Sequence, residues 1–186
     1  KVYQDRYRPR YTVIHSTVPV GTSRQCNAIH SPVMGIHPWL EMSLRTFVKF
    51  LGGEQASEVA DYFRKSGMKV WLTDKPETTE YMKLRSTELY ALLNEHNKDV
   101  KMDCDKYQIP YEMWNIWTRE YNRGYQVLGY PEYTRPTLVP IMTKLGGHCL
   151  LPNLELLETR FSKFIKSLNE TKCGSKTESK KSTTKK

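Results

Sequence analysis

Three groups of residues have the types and spacing for chemistry. Gly146-Gly147-His148-Cys149 sets a thiol behind paired glycines, whose backbone accepts strained turns, and cysteine is the side-chain nucleophile most available near neutral pH. Glu80, Lys83 and Thr87 are spaced three and four apart. On a helix they share one face, where an ammonium and a hydroxyl converge on a substrate oxygen. Ser16-Thr17-Val18-Pro19-Val20-Gly21-Thr22 offers two hydroxyls followed by a glycine. At the carboxyl end of a strand in an open α/β sheet, such groups meet a cofactor ribose or a water. Each group also has an ordinary structural reading: turn chemistry for the last stretch, a solvated helix face for the second, an inert buried thiol for the first.

The elements that must position these residues follow from pattern. Tyr11 to Thr17 is rich in β-branched and aromatic residues and predicts a strand that stops at Pro19 and Gly21, with Thr22 capping a short helix through Cys26. Further strands are expected over Ala28 to Ser31, Thr46 to Leu51 (closing on Gly52-Gly53) and Lys69 to Thr73. Between the last two, Ala56, Val59, Ala60 and Phe63 recur at helical spacing over Gln55 to Lys65, with Gly67 as the stop. This alternation predicts an α/β fold: residues 1–75 as the second half of a Rossmann-like doubly wound sheet, then a helical domain over 76–170. Within it, helices are expected from Pro76 to about Asn97, from Tyr111 to Tyr121 and from Pro152 to Leu168. Residues 124–151, with three prolines and four glycines, read as an irregular connection, and 171–186 as a disordered tail of Lys, Ser and Thr.

Composition removes whole classes of function. The 186 residues are 26% charged and 38% apolar, with a mean hydropathy of −0.65. No stretch approaches the roughly 20 apolar residues of a membrane span, and no secretory signal is visible. The net charge of +9 is a poor guide to partners, because the tail alone carries six lysines against one glutamate. The body lacks the basic and aromatic stripe of nucleic-acid modules, so no specific nucleic acid is expected. Cys26, Cys104, Cys149 and Cys173 form no CxxC pair and no zinc spacing, and His15, His30 and His37 read as packing residues. Reduced thiols, a cytoplasmic location and no metal are expected. The chain opens on Lys1 and meets a strand at once, which reads as a protein whose first part lies upstream.

Order and separation turn these stretches into a pattern. STVPVGT, a helix bearing Lys83, and then GGHC followed by Pro152 resemble the UDP-glucose/GDP-mannose (nucleotide-sugar) dehydrogenase family from about Tyr11 to Leu157. The resemblance implies an NAD-dependent oxidoreductase that converts a sugar C6 alcohol to a carboxylate through two hydride transfers. It implies cofactor contacts at Ser16, Thr17 and Val18, with Thr17 also beside a catalytic water. Lys83 would stabilise an oxyanion, Cys149 would form a thiohemiacetal with the aldehyde, and Glu80, Gly146 and Gly147 would touch substrate. Thr87 and Asn153 occupy catalytic positions where the family carries Asn and Asp, and Val33 follows Pro32 where the family carries Glu.

None of the ten glycines forms GxGxxG, so the dinucleotide-phosphate loop is expected upstream. His30-Ser31-Pro32-Val33-Met34-Gly35 also resembles a stretch of prephenate dehydrogenases. That is a second oxidoreductase reading; an inactive carbohydrate-locus binding protein is the reading from another class. The partners expected are a nucleotide sugar and a second copy of the chain, with no membrane.

Overall fold

The computed structural model describes residues 1–36, 38–146 and 150–171. In chain order, α1 (Val2–Tyr7), β1 (Val13–Ile14), α2 (Thr22–Gln25), β2 (Ile29–His30), α3 (Leu40–Thr46), β3 (Lys49–Gly52), α4 (Ala56–Lys65) and β4 (Val70–Thr73) come first. They are followed by α5 (Pro76–Lys106), α6 (Tyr111–Val127), a 3₁₀ turn at Pro131–Tyr133, α7 (Leu150–Glu155) and α8 (Arg160–Thr171). Among the described residues no helix is long and apolar enough to cross a membrane.

The four strands form one sheet in the order β1-β2-β3-β4. β1 and β2 run parallel with Val13 opposite Ile29, β3 and β4 run parallel with Phe50 opposite Trp71, and β2 meets β3 antiparallel at His30 and Gly52. The fold is α/β, the later half of a Rossmann-like sheet followed by a helical region. Because side chains alternate along a strand, Val13, Ile29, Leu51 and Val70 share the face that packs on Ala56, Val59, Ala60 and Phe63 of α4. Burying an aliphatic side chain of this size fully is worth about 1.5–3 kcal/mol. The opposite face presents His30, Phe50, Gly52 and Thr73, and the first turns of α5 lie along it: the Thr79 hydroxyl is 2.8 Å from His30 Nδ1.

Two compact units divide the chain, Lys1–Glu88 with Pro152–Glu158 and Leu89–Leu151 with the residues from Thr159 on. The division between the two units falls inside α5, after Glu88. The reason is that Thr79, Glu80 and Lys83 bond to His30, to Gly21 and Ser23, and to Val33 respectively. In the second unit Tyr111 Oη lies 3.1 Å from Asn97 Oδ1, the Leu145 amide donates to Asn169 Oδ1 at 2.7 Å, and a buried Lys98 pairs with Glu95 at 2.7 Å.

Several elements differ from expectation for identifiable reasons. The first strand keeps only two ladder residues, because His15 Nδ1 donates to the Ser31 carbonyl and the Ser16 carbonyl accepts from His30 Nε2. Gly21, at φ +94°, caps α2 in place of Thr22, whose hydroxyl donates to the Pro19 carbonyl. Leu40 to Thr46 forms α3, so β3 begins only at Lys49, and α5 and α6 run on to Lys106 and Val127. The last expected helix is two. It breaks at a capping box in which the Thr159 amide donates to Ser162 Oγ and the Ser162 amide donates to Thr159 Oγ1, each at 3.0 Å.

Candidate functional site

Beyond β1 the chain turns through Ser16 to Ser23, and one side chain from α5 fixes the turn. Glu80 is fully buried; its Oε2 accepts the Gly21 amide at 2.6 Å and its Oε1 accepts the Ser23 amide at 2.8 Å. A helix start leaves amides without internal partners, and here the carboxylate satisfies them at the start of α2. His30 adds a second tie from β2. Its Nε2 lies 3.2 Å from the Ser16 carbonyl, which can only accept, so that nitrogen carries the proton and Nδ1 faces the Thr79 hydroxyl.

One turn of helix further on, Lys83 Nζ donates to the Val33 carbonyl at 2.9 Å. It lines a cavity of about 530 Å³ between α5 and the sheet, whose apolar wall is Pro32, Met34, Phe50 and Met82. Among the described residues lining it, Lys83 is the one charged side chain. Thr73, Thr78, Thr79 and Ser86 complete the lining. The Thr79 and Thr73 hydroxyls already bond within the protein, to His30 or the Pro76 carbonyl and to the Lys75 carbonyl. The volume lies in the range of small-molecule sites, roughly 300–1,000 Å³.

The structure places the expected site residues unequally. Ser16, Thr17, Val18, Glu80, Lys83, Thr87 and Asn153 all belong to the first unit. Glu80 is spent on the loop amides, so it positions Ser16 to Ser23 and does not present its oxygens to a substrate. The Thr87 hydroxyl donates back to the Lys83 carbonyl at 3.0 Å, a bond within the helix. Asn153 is buried in α7, where its carbonyl accepts the Leu156 amide. Gly146 belongs to the second unit, and a Cβ there would meet only the Lys144 carbonyl, at 3.8 Å. Gly147 and Cys149 lie outside the described residues, as do His37 and the tail beyond Thr171.

Sequence reasoning passed over a second polar group, on the α4 side of the sheet. Lys49 is 4% exposed; its Nζ donates to the Ser31 carbonyl at 3.1 Å, sits 3.4 Å from His15 Nδ1 and lies over the Phe63 ring. Burial pushes its amine from 10.5 down to about 8. Burial likewise holds His15 and His30 below their ordinary 6.5. A lysine alternating with Phe50 and Leu51 in a strand was the only available signal. Between pH 8 and 10.5 the unfolded chain holds a proton on Lys49 that the folded chain has released, so stability rises with pH across that window, on the order of 3 kcal/mol. On the acid side, stability falls as pH drops below about 6.5, because the unfolded histidines take up protons before the folded ones do. Urea unfolding at stepped pH checks both limbs: Lys49→Met abolishes the alkaline rise, and His30→Gln shrinks the acid loss.

No family model matches the chain, and no curated protein matches it. Solved structures share its fold. UDP-D-ManNAc dehydrogenase from Pyrococcus horikoshii superposes with a TM-score of 0.65 at 19% identity, over 86% of this chain and 41% of that one. Psf3 in complex with NADP+ and 2-OPP superposes with a TM-score of 0.54 at 14% identity, over 91% of this chain and 70% of that one. The chain therefore spans less than half the length of the first. The likeness is one of fold.

The residues present suit one end of a dinucleotide and not the other. Ser16 is exposed and Thr17 and Val18 half-buried beyond the carboxyl end of β1, where a ribose and a nicotinamide would rest. The amides at the start of α2 are already taken by Glu80, so that helix start does not cradle a pyrophosphate.

Proposed function

We propose that this chain belongs to an NAD(P)-dependent dehydrogenase acting on a CH–OH group. It would supply the floor of the nicotinamide end and the cationic residue of the reacting centre. One observation carries the reading: the helix that bears Lys83 also bears Glu80, which holds the Gly21 and Ser23 amides at the far end of the turn that begins with Ser16, Thr17 and Val18. In this reading one helix would set both parts of a hydride-transfer site. The dehydrogenase-like fold supports it.

When bound, the nicotinamide accepts the hydride. Ser16, Thr17 and Val18 would hold its ribose end, and Thr17 would orient a water. Lys83 would stand where negative charge develops on the substrate oxygen, a preorganised cation in a site with apolar walls. Cys149 would hold an aldehyde for a second oxidation, and Asn153 would orient water through its amide. Thr87 supports Lys83 through the helix backbone. A homodimer and a cytoplasmic location belong to the same reading.

Turnover of UDP-glucose, GDP-mannose and prephenate with NAD and with NADP tests it, read by nicotinamide absorbance in the protein carrying this chain. Lys83→Ala is expected to lower kcat by about 10²-fold or more while the melting temperature holds. Parental kcat with a lowered melting temperature would make Lys83 a structural residue and sink the proposal.

A further inference from the structure

We infer that Lys49 is a positioning residue for the site of Lys83, acting from the far side of the sheet through the backbone strip Ser31 to Met34. For its effect on turnover the inference rests on the dehydrogenase reading. Lys49 Nζ donates to the Ser31 carbonyl at 3.1 Å and reaches the Pro32 carbonyl at 3.4 Å. The next carbonyl, that of Val33, accepts from Lys83 Nζ at 2.9 Å. Three successive carbonyls are thus gripped by two lysines, one from the α4 side of the sheet and one from α5 on the other. β2 ends at His30, and Pro32 has no N–H to give a ladder, so this grip does for the strip what pairing does within a strand. The strip matters because Pro32 and Met34 wall the cavity that Lys83 lines. Hydrogen bonds from a charged donor are roughly twice as strong as neutral ones. Removing the charge of Lys49 therefore loosens the wall and shifts the carbonyl that meets Lys83, and a small misplacement beside a reacting centre slows the reaction.

Around Lys49, β1 presents His15 at 3.4 Å, β2 presents His30 on the opposite face, α4 contributes Phe63, and β4 pairs Val70 with it. Burial holds both histidines below their ordinary 6.5 and brings Lys49 down to about 8, so the lysine titrates apart from them. Carbon-13 NMR of the full chain, labelled at Met methyls and Lys Cε, reads the coupling from pH 7 upward. Met34 is expected to shift with the same midpoint as Lys49 Cε, while Met113 on α6 stays still. Lys49→Met should remove that step and leave Met34 near its high-pH position; Lys49→Arg, charged throughout, should hold it near its low-pH position. In turnover, Lys49→Met should lower kcat about tenfold with KM for the dinucleotide unchanged, and Lys49→Arg should recover most of the loss. The inference is overturned if Met34 stays still while Lys49 titrates, if the step persists in Lys49→Met, or if Lys49→Met turns over at the parental kcat. Should either variant fail to fold, the parent titration decides. Turnover with a still Met34 leaves the dehydrogenase reading standing and defeats this one. A Met34 that follows Lys49 in a protein without turnover keeps the grip on the strip and removes the dehydrogenase.

Discussion

Glu80→Ala is expected to cost this chain about 3–5 kcal/mol, a large fraction of the roughly 5–15 kcal/mol that holds a typical domain together. The estimate comes from counting partners. Glu80 is fully buried, and its two oxygens are the acceptors for the amides of Gly21 and Ser23. Alanine leaves both amides without their partner, at about 1–3 kcal/mol each. It also removes the negative charge at the start of α2, where the helix dipole favours one. Glu80→Gln keeps one good acceptor but turns an NH₂ toward the other amide, so it should fall between parent and alanine. Urea unfolding of the three proteins reads the order. A loss below about 1 kcal/mol for alanine would mean that the loop is held by His30 alone. Under the proposed dehydrogenase function, Glu80→Gln should raise KM for the dinucleotide more than it lowers kcat, because a positioning residue has been loosened and Lys83 remains.

Gly52→Ala should be nearly as damaging by a different route. A Cβ on Gly52 would sit 2.8 Å from the Lys75 carbonyl oxygen, 2.8 Å from Thr79 Oγ1 and 2.9 Å from Thr73 Oγ1. Those distances lie inside van der Waals contact, and the carbonyl belongs to the backbone leading into α5, so it cannot rotate aside as a side chain could. Overpacking a tight site typically costs about 1–3 kcal/mol, and a backbone clash at the junction of sheet and helix belongs at or above the top of that range. Gly124, inside α6 with nothing within 4 Å of an added Cβ, is the matched control. There alanine should stabilise by about 0.5–1 kcal/mol, through helix propensity alone. Thermal melts of the two variants should move in opposite directions; movement in the same direction would refute the packing argument.

Period and punctuation in the sequence were enough for β2, β4, α4 and the start of α5, because each is decided by neighbours within a few residues. α3 was hidden by Thr46, Phe47 and Val48, which favour a strand locally, while the residues before them coil. The break between α7 and α8 was hidden by an apolar repeat that continues through it. The Thr159 to Ser162 capping box was its signal. For the site, helical spacing placed Lys83, Glu80 and Thr87 on one side of α5. It could not tell that Glu80 reaches back to residues 21 and 23, nor that the Thr87 hydroxyl bonds within its own helix. Lys49 carried only the faint mark of a lysine within an apolar strand, and His30 read as a packing residue. Their importance lies wholly in partners from other strands and helices.

The anchoring of the Ser16 to Ser23 turn has a consequence for how the chain acquires its shape during synthesis. The contacts that set this turn join Glu80 to residues 57 and 59 positions earlier, and the tie beneath it joins His30 to Thr79 across 49. A ribosome adding roughly 5–20 residues per second exposes the turn several seconds before its anchors exist. Closing loops of this length is entropically slow to be rewarded. The turn from Ser16 to Ser23 is thus fixed only once α5, made well after it, is in place. Until α5 has emerged, the growing chain presents an open strand end to whatever chaperone or second nascent chain is near.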